Sequence, residues 1–247
     1  MTGRPTLSLI GFGAFARFAV PHLTPHFDVS ACDVHIVSRD ATAISVRDVT
    51  LEDAAGTDVV VLCVPAQHLD TVLHTLAPRI RAGALVLDVC SVKVRPVESM
   101  LRLLPSSVRV VGTHPLFGPQ SGRDGIVGLP VALCPARADG ATVSCVRGFL
   151  AGTLGLRVIE TTPEEHDRQM AYVQGLTHLV SRALSAMDLP DTPMATRAYR
   201  RLLEMKADVE HDSLDLFLTI ERSNPFAGTV REEFLRRLAE LEKLIRG

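Results

Sequence analysis

Leu7-Ser-Leu-Ile-Gly-Phe-Gly-Ala-Phe-Ala16 is the stretch whose reading decides the fold. Leu7 to Ile10 is a short apolar strand, and the glycines at 11 and 13 end it at once. An apolar helix follows through about Leu23. This is the Gly-x-Gly-x-x-Gly/Ala pattern in its required context of strand, turn and helix. Gly11 permits the tight turn, Gly13 lets the backbone approach a pyrophosphate, and Ala16 is small enough for close helix packing. Phe12, Ala14 and Phe15 complete the turn, where the helix N-terminus supplies N–H donors and a positive dipole end. Dinucleotide binding outweighs a purely structural glycine turn.

The second strand decides which dinucleotide. If it runs from Phe27 to Cys32, Asp33 stands at its end, about 20 residues past the turn, where an acid holds the ribose diol. If it runs from Val34 to Val37, Ser38 and Arg39 end it, a pair suited to a 2′-phosphate. The first register matches the spacing better and favours NAD; the second keeps NADP open.

A third strand is expected around Ile44 to Val49. Asp58 to Val64 is a continuous apolar run, as in a strand buried on both faces, and empties into Pro65 and a helix to about Leu76. Cys63, Val64 and Pro65 therefore join the candidate cofactor contacts. Ala84 to Val89 is the fifth strand, Pro96 starts another helix, and Val108 to Val111 is the sixth strand. Val131 to Cys134 and Leu156 to Ile159 read as two more. Such alternation predicts an α/β fold, a doubly wound, mostly parallel Rossmann-type sheet over residues 1–160. From 161 to 247 the pattern is helical only, a small all-helical substrate and dimerisation domain. Thr162-Pro-Glu-Glu165 is a capping box, and Asp167, Ala171, Gln174, His178 and Arg182 share one face of the helix it starts. Helices follow at about 195–209, 213–221 and 226–245. The last carries Leu235, Leu238, Leu241 and Ile245 as an apolar stripe, too much for so small a unit to bury alone, and predicts a homodimer.

The sixth strand runs into Gly112-Thr-His-Pro-Leu-Phe-Gly-Pro-Gln-Ser-Gly122, where two prolines and three glycines argue against any helix or long strand. His114 is thus held in a rigid loop at a strand's carboxyl end, where open α/β proteins place their chemistry. On spacing alone it is either an incidental turn histidine or a base, and the surrounding pattern favours the base.

The chain has 247 residues, 47% hydrophobic and 22% charged, with a net charge of -2. No basic surface calls for nucleic acid or anionic membrane, and no apolar run approaches the ~20 residues of a bilayer span. The N-terminus enters a strand directly and leaves no room for a signal peptide, so a cytoplasmic protein is expected. Five scattered cysteines, odd in number and without metal-ligand spacing, fit free thiols in a reducing compartment, and no metal is expected. Lysine occurs only at Lys93, Lys206 and Lys243.

Together, the Gly11 turn, Asp88-Val-Cys-Ser-Val-Lys93, Thr113-His-Pro-Leu-Phe-Gly-Pro119 and Glu165-His-Asp167 with His178 downstream resemble the prephenate and arogenate dehydrogenase family. The likeness covers nearly the whole chain. Gly-Pro-x-Ser-Gly and Asp212 to Phe217 place it nearest the short branch that includes plant arogenate dehydrogenases. The resemblance implies oxidative decarboxylation of a cyclohexadienyl substrate in tyrosine biosynthesis. It implies that His114 takes the ring hydroxyl proton as hydride leaves, and that Ser91 aligns that hydroxyl. Asp167 and His178 match pocket residues near the cofactor. Two departures stand out: Gly175 replaces a second histidine of many bacterial members, and their carboxylate-binding arginine is not evident. Lys206, Arg197 or Arg200 would replace it. Lys93, Gln120 and Ser121 join Asp167, His178 and Lys206 as candidate substrate contacts.

Two other readings remain open at this point. One is a nonenzymatic nucleotide-sensing Rossmann protein, which has no need of both Ser91 and His114. The other is the same chemistry on an amino-substituted prephenate in secondary metabolism. Between arogenate and prephenate, the only acid of the histidine loop, Asp124, is either an ordinary turn residue or a carboxylate that attracts the arogenate ammonium. With the chain ending at Gly247, no appended regulatory domain is expected, and feedback by tyrosine would act at the active site.

Overall fold

The computed structural model describes residues 3–33, 46–208 and 212–247. Eight strands form one sheet in the order β3-β2-β1-β4-β5-β6-β7-β8. They are β1 (Thr6–Ile10), β2 (Asp28–Cys32), β3 (Arg47–Asp48), β4 (Val59–Leu62), β5 (Leu85–Asp88), β6 (Arg109–Pro115), β7 (Pro130–Arg137) and β8 (Arg157–Glu160). The first six run parallel, β7 lies antiparallel to β6, and β8 is parallel to β7. β2 adopts the earlier of the two registers, with Asp33 directly after its last residue. Ser38 and Arg39 lie outside the described residues, as does part of the third expected strand.

Packing follows from the apolar alternation of the strands. One face is covered by α3 (Leu69–Leu76) and α4 (Val94–Leu103), after the short α2 (Leu51–Ala55). There Ile10, Val60, Leu62, Val86 and Val110 meet Leu69, Leu73, Leu76, Val97 and Met100. A fully buried leucine such as Leu73 contributes about 2 kcal/mol through burial alone. On β1 and β2, Leu7, Leu9, Val29 and Ala31 pack with Ala16 and Val20 of α1 (Ala14–Leu23). On β6 and β7, Val111 and Leu133 pack with Val143 and Val146 of α5 (Gly140–Arg147), which Asp139 caps by accepting from Thr142 N at 2.7 Å.

One expectation about β6 is corrected. The strand does not stop at Val111 but runs through His114 to Pro115. Its parallel partner β5 ends at Asp88 opposite Gly112, and the antiparallel β7 then carries the pairing alone, His114 opposite Ala132 and Pro115 opposite Val131. Pro115 is tolerated because it closes the strand on an edge that needs no further donor. Gly112 is required for packing, since a Cβ there would lie 2.8 Å from Val97 Cγ2.

The described chain divides into two compact units, Met1–His166 and Asp167–Gly247. The division falls inside α6 (Pro163–Met170), whose first turn is capped by Thr162 Oγ1 accepting from Glu165 N at 3.2 Å. A widened π-helical turn at Ala171–Leu176 leads into α7 (Thr177–Ser185). Then come α8 (Arg197–Asp208), α9 (Leu214–Ser223) and α10 (Ala227–Arg246). The second unit is held by polar contacts around a small core of Met170, Ala171, Ile220, Ala227 and Val230. Asn224 Nδ2 donates to Asp167 O at 2.8 Å, Arg168 lies over the Phe226 ring, and buried Glu221 pairs with Arg231.

Candidate functional site

Strand register places the chemistry-bearing residues of the first unit on one edge. Ile10, Leu62, Asp88 and Gly112 are aligned across β1, β4, β5 and β6, so Gly11, Cys63 and Ser91 lie just beyond the carboxyl ends of their strands, and His114 lies two residues past this line on the part of β6 that outruns β5. Three strand spacings separate the Gly11 turn from His114, roughly 14 Å. This is the crevice where open sheets of this topology hold a dinucleotide.

At the glycine end the backbone does the shaping. Gly11 has φ +92, and a Cβ there would lie 2.8 Å from the Cys63 carbonyl oxygen. Gly11 N donates to Cys32 O and Cys63 N to Ile10 O, which ties the turn to β2 and β4. Asp33 accepts from Phe12 N at 2.5 Å, so its carboxylate stands against the turn. Gly13 and Ala14 are exposed at the start of α1, Phe15 is half-buried and Phe12 is buried. Val64 is half-buried and Pro65 exposed beyond β4, while burial pushes the Cys63 thiol up to about 12, so it is no nucleophile at neutral pH.

At the histidine end side chains do the work. His114 and His166 are both buried, at 4% and 3% exposure, and His114 Nδ1 lies 2.9 Å from His166 Nε2. Burial, then His166 and then Lys93, holds the His114 pKa well below the usual imidazole value. Lys93 is fully buried; its ammonium pairs with Asp88 and donates to Thr113 O at 2.7 Å. Asp88 also accepts from Cys90 N at 3.0 Å, and the Thr113 hydroxyl donates to Asp88 O. These bonds tie the end of β5 to β6 one residue before His114. Ser91 is half-buried in the same β5–α4 connection.

One of the sequence-derived substrate contacts is therefore corrected. Lys93 has no solvent-facing surface and serves as a clamp beneath His114. The Asp124 carboxylate, in a turn of the same loop as His114, is 91% exposed and lies 3.4 Å from its neighbour Arg123. Gln120 and Ser121 are exposed in the same loop, with Ser121 Oγ accepting from Gly118 N.

In the second unit, Asp167 is fully buried and His178 half-buried, its Nδ1 3.8 Å from Asp212 Oδ2. Burial lowers the His178 pKa, Asp212 opposes this, and Arg182 adds to it. Gln174 Oε1, His178 Nδ1 and Arg182 Nε are buried without a hydrogen-bond partner among the described residues. Arg182 Nη2 donates to Asp212 O and Ser213 O, and its guanidinium lies over Phe217. Lys206 is half-buried on α8, where its carbonyl accepts from Ser185 Oγ. His166, Asp88, Thr113 and Asp212 were missed as site residues. For His166 the signal was its place between Glu165 and Asp167, a motif read only for its acids.

The glycine turn, its acid and the buried histidine on the same sheet edge define a nucleotide-binding protein of the Rossmann class. Residues 28–160 match the family model described as "Prephenate dehydrogenase, nucleotide-binding domain", and residues 183–247 match "TYRAAT1-like, C-terminal domain". The chain belongs to the prephenate dehydrogenase family. It is similar to arogenate dehydrogenase 1, chloroplastic, of Arabidopsis thaliana, 30% identical over 240 residues, covering 94% of this chain and 38% of that one. It is also 30% identical to arogenate dehydrogenase 2, chloroplastic, of the same plant over 233 residues, covering 90% of this chain and 64% of the relative. The chain thus spans less than two thirds of the length of either relative. Among solved structures, prephenate dehydrogenase from A. aeolicus, in complex with hydroxyphenyl propionate and NAD+, has the same fold. Its TM-score is 0.76 at 19% identity, covering 98% of this chain and 91% of that one.

Proposed function

We propose that this chain is an NAD-dependent dehydrogenase that oxidatively decarboxylates a cyclohexadienyl acid, arogenate or prephenate, in tyrosine biosynthesis. The observation that carries this is His114. Its Nδ1 is engaged by His166, and its Nε2 makes no hydrogen bond among the described residues, at a sheet edge shared with a dinucleotide turn. The turn fits the cofactor, since Gly11 leaves no Cβ over Cys63 O and Asp33 stands where a ribose diol would be held and a 2′-phosphate repelled. A nicotinamide dinucleotide held there supplies the hydride acceptor.

The protein's own part is orientation and one proton. As hydride leaves the ring carbinol carbon, His114 Nε2 takes the hydroxyl proton and the carbon becomes carbonyl-like. The ring carboxylate then departs as CO2, its bonding electrons enter the ring, and the resulting phenolate recovers a proton. Aromatisation drives the sequence, so a weak base suffices. A depressed pKa keeps His114 neutral and able to accept. Ser91, on the neighbouring connection, is suited to align the hydroxyl. With His114→Asn, turnover of arogenate and prephenate, followed through the absorbance of reduced nicotinamide, should fall by about 10²-fold or more at unchanged NAD affinity. Near-normal activity would remove His114 from the role.

The working unit we infer is a homodimer in the cytoplasm. Along α10, Leu235, Leu238, Leu241, Leu244 and Ile245 are between 47% and 84% exposed, a stripe that a second copy would cover. Light scattering at micromolar concentration should give twice the chain mass, and Leu238→Glu with Leu241→Glu should halve it. All five cysteines are free, which suits a reducing compartment. No helix among the described residues is long and apolar enough to cross a membrane.

A further inference from the structure

The histidine pair offers more than burial. An imidazole bonded to another imidazole through Nδ1 has two neutral states. In one, His114 Nδ1–H donates to His166 Nε2, and His114 Nε2 is a bare acceptor. In the other, His166 Nε2–H donates, and the proton of His114 sits on Nε2, where it blocks acceptance from a hydroxyl. The choice between them is a choice between a base and a donor.

We propose that His166 is the positioning residue of His114: its Nε2 accepts the Nδ1 proton, fixes the tautomer with Nε2 bare, and shares the positive charge once His114 takes the substrate proton. This rests on the reading of His114 as the base. Three features carry it. The contact is short, 2.9 Å, and both rings are buried, so water does not compete for Nδ1. The ring centroids lie 5.1 Å apart, as two nitrogens in line require, with the ring planes at 66°. The backbone also fixes His166 independently of its ring. Ala132 pairs with both His114 and Ile159, Thr161 N donates to Leu133 O, and Thr162 caps the turn that holds His166. A neutral imidazole suits this place better than a carboxylate would. The buried cation below it, Lys93, is already paired with Asp88, and a further buried charge would lack a partner.

Nitrogen-15 NMR of the histidine rings in the full chain at neutral pH tests the tautomer without turnover, with His114 assigned by its loss in His114→Asn. Nδ1 protonated and Nε2 bare is expected; a proton on Nε2 would overturn the proposal. Kinetics provide the second arm. In His166→Leu, kcat should fall by about 10- to 100-fold with KM within about 2-fold. In His166→Gln, whose amide oxygen can accept from Nδ1–H, most of kcat should return. Full activity in the leucine variant, or equal loss in both, would refute the positioning role. The wild-type spectrum decides even where His166→Leu fails to fold. Activity kept by His114→Asn counts against the base assignment alone, because the spectrum reads the pair independently of catalysis.

Discussion

The two ends of the sheet edge in the first unit are built on opposite plans. Around Gly11, function is a matter of clearance and backbone donors: a missing Cβ, a turn at φ +92 and an acid bonded to Phe12 N. Around His114 it is a matter of buried charge and imidazole, with Lys93, Asp88, Thr113 and His166 packed out of water. The first plan rests on backbone bonds from Gly11 to β2 and from Cys63 to β1. The second depends on several strands holding register, and each member is costly to remove singly.

The largest expected effect lies at the histidine end. Lys93→Met leaves the Asp88 carboxylate buried without its cation, and the cost should be about 3–5 kcal/mol of unfolding free energy by denaturant titration. Adding Asp88→Asn should recover part of it. A loss below about 1 kcal/mol would show that the two ends do not differ as described.

Gly11→Ala sharpens the comparison from the other side. Its Cβ would collide with backbone, the Cys63 carbonyl, at a φ that L-residues rarely adopt. That should cost about 1–2 kcal/mol of stability, less than at Lys93, and weaken NAD binding by about 10-fold or more, measured by calorimetry. Unchanged affinity would mean that the turn does not carry the pyrophosphate.

The smallest effect is in pH dependence. His114 and His178 both have folded pKa values below the unfolded 6.5, so the unfolded chain binds more protons once pH drops below that value. Their contribution is complete above about 6.5 and is lost as pH falls toward the folded values, by at most ~1.4 kcal/mol per pH unit per group. The lowered carboxylates Asp58, Asp70 and Asp139 titrate well below this window. Stability measured between pH 7.5 and 5.5 should decline, and His114→Asn should flatten the slope. An unaltered slope would mean that His114 is not buried neutral.

The same contrast explains what could be read in advance. The glycine turn, the Asp33 register and the order of the strands are written in short runs of neighbouring residues, and the structure follows them. The extent of β6 was misread because Gly112, Pro115 and Gly118 signal a loop locally, whereas β7 pairs with the chain as far as Pro115 from farther along the sequence. Lys93 was misplaced for a related reason. A charged residue beside a motif looks functional in sequence, but its burial is decided by strands it cannot foresee: Lys93 is fully buried and its ammonium bonds to β6.

The pairing of His114 with His166 across 52 residues also sets an order of events. β1, β4 and their glycine turn all lie within the first 64 residues or so. His114 must wait for β7, α5 and β8, and for the first turn of α6, before its partner arrives. During synthesis the residues of the glycine turn and its two flanking strands therefore emerge well before those that bring His166 to His114.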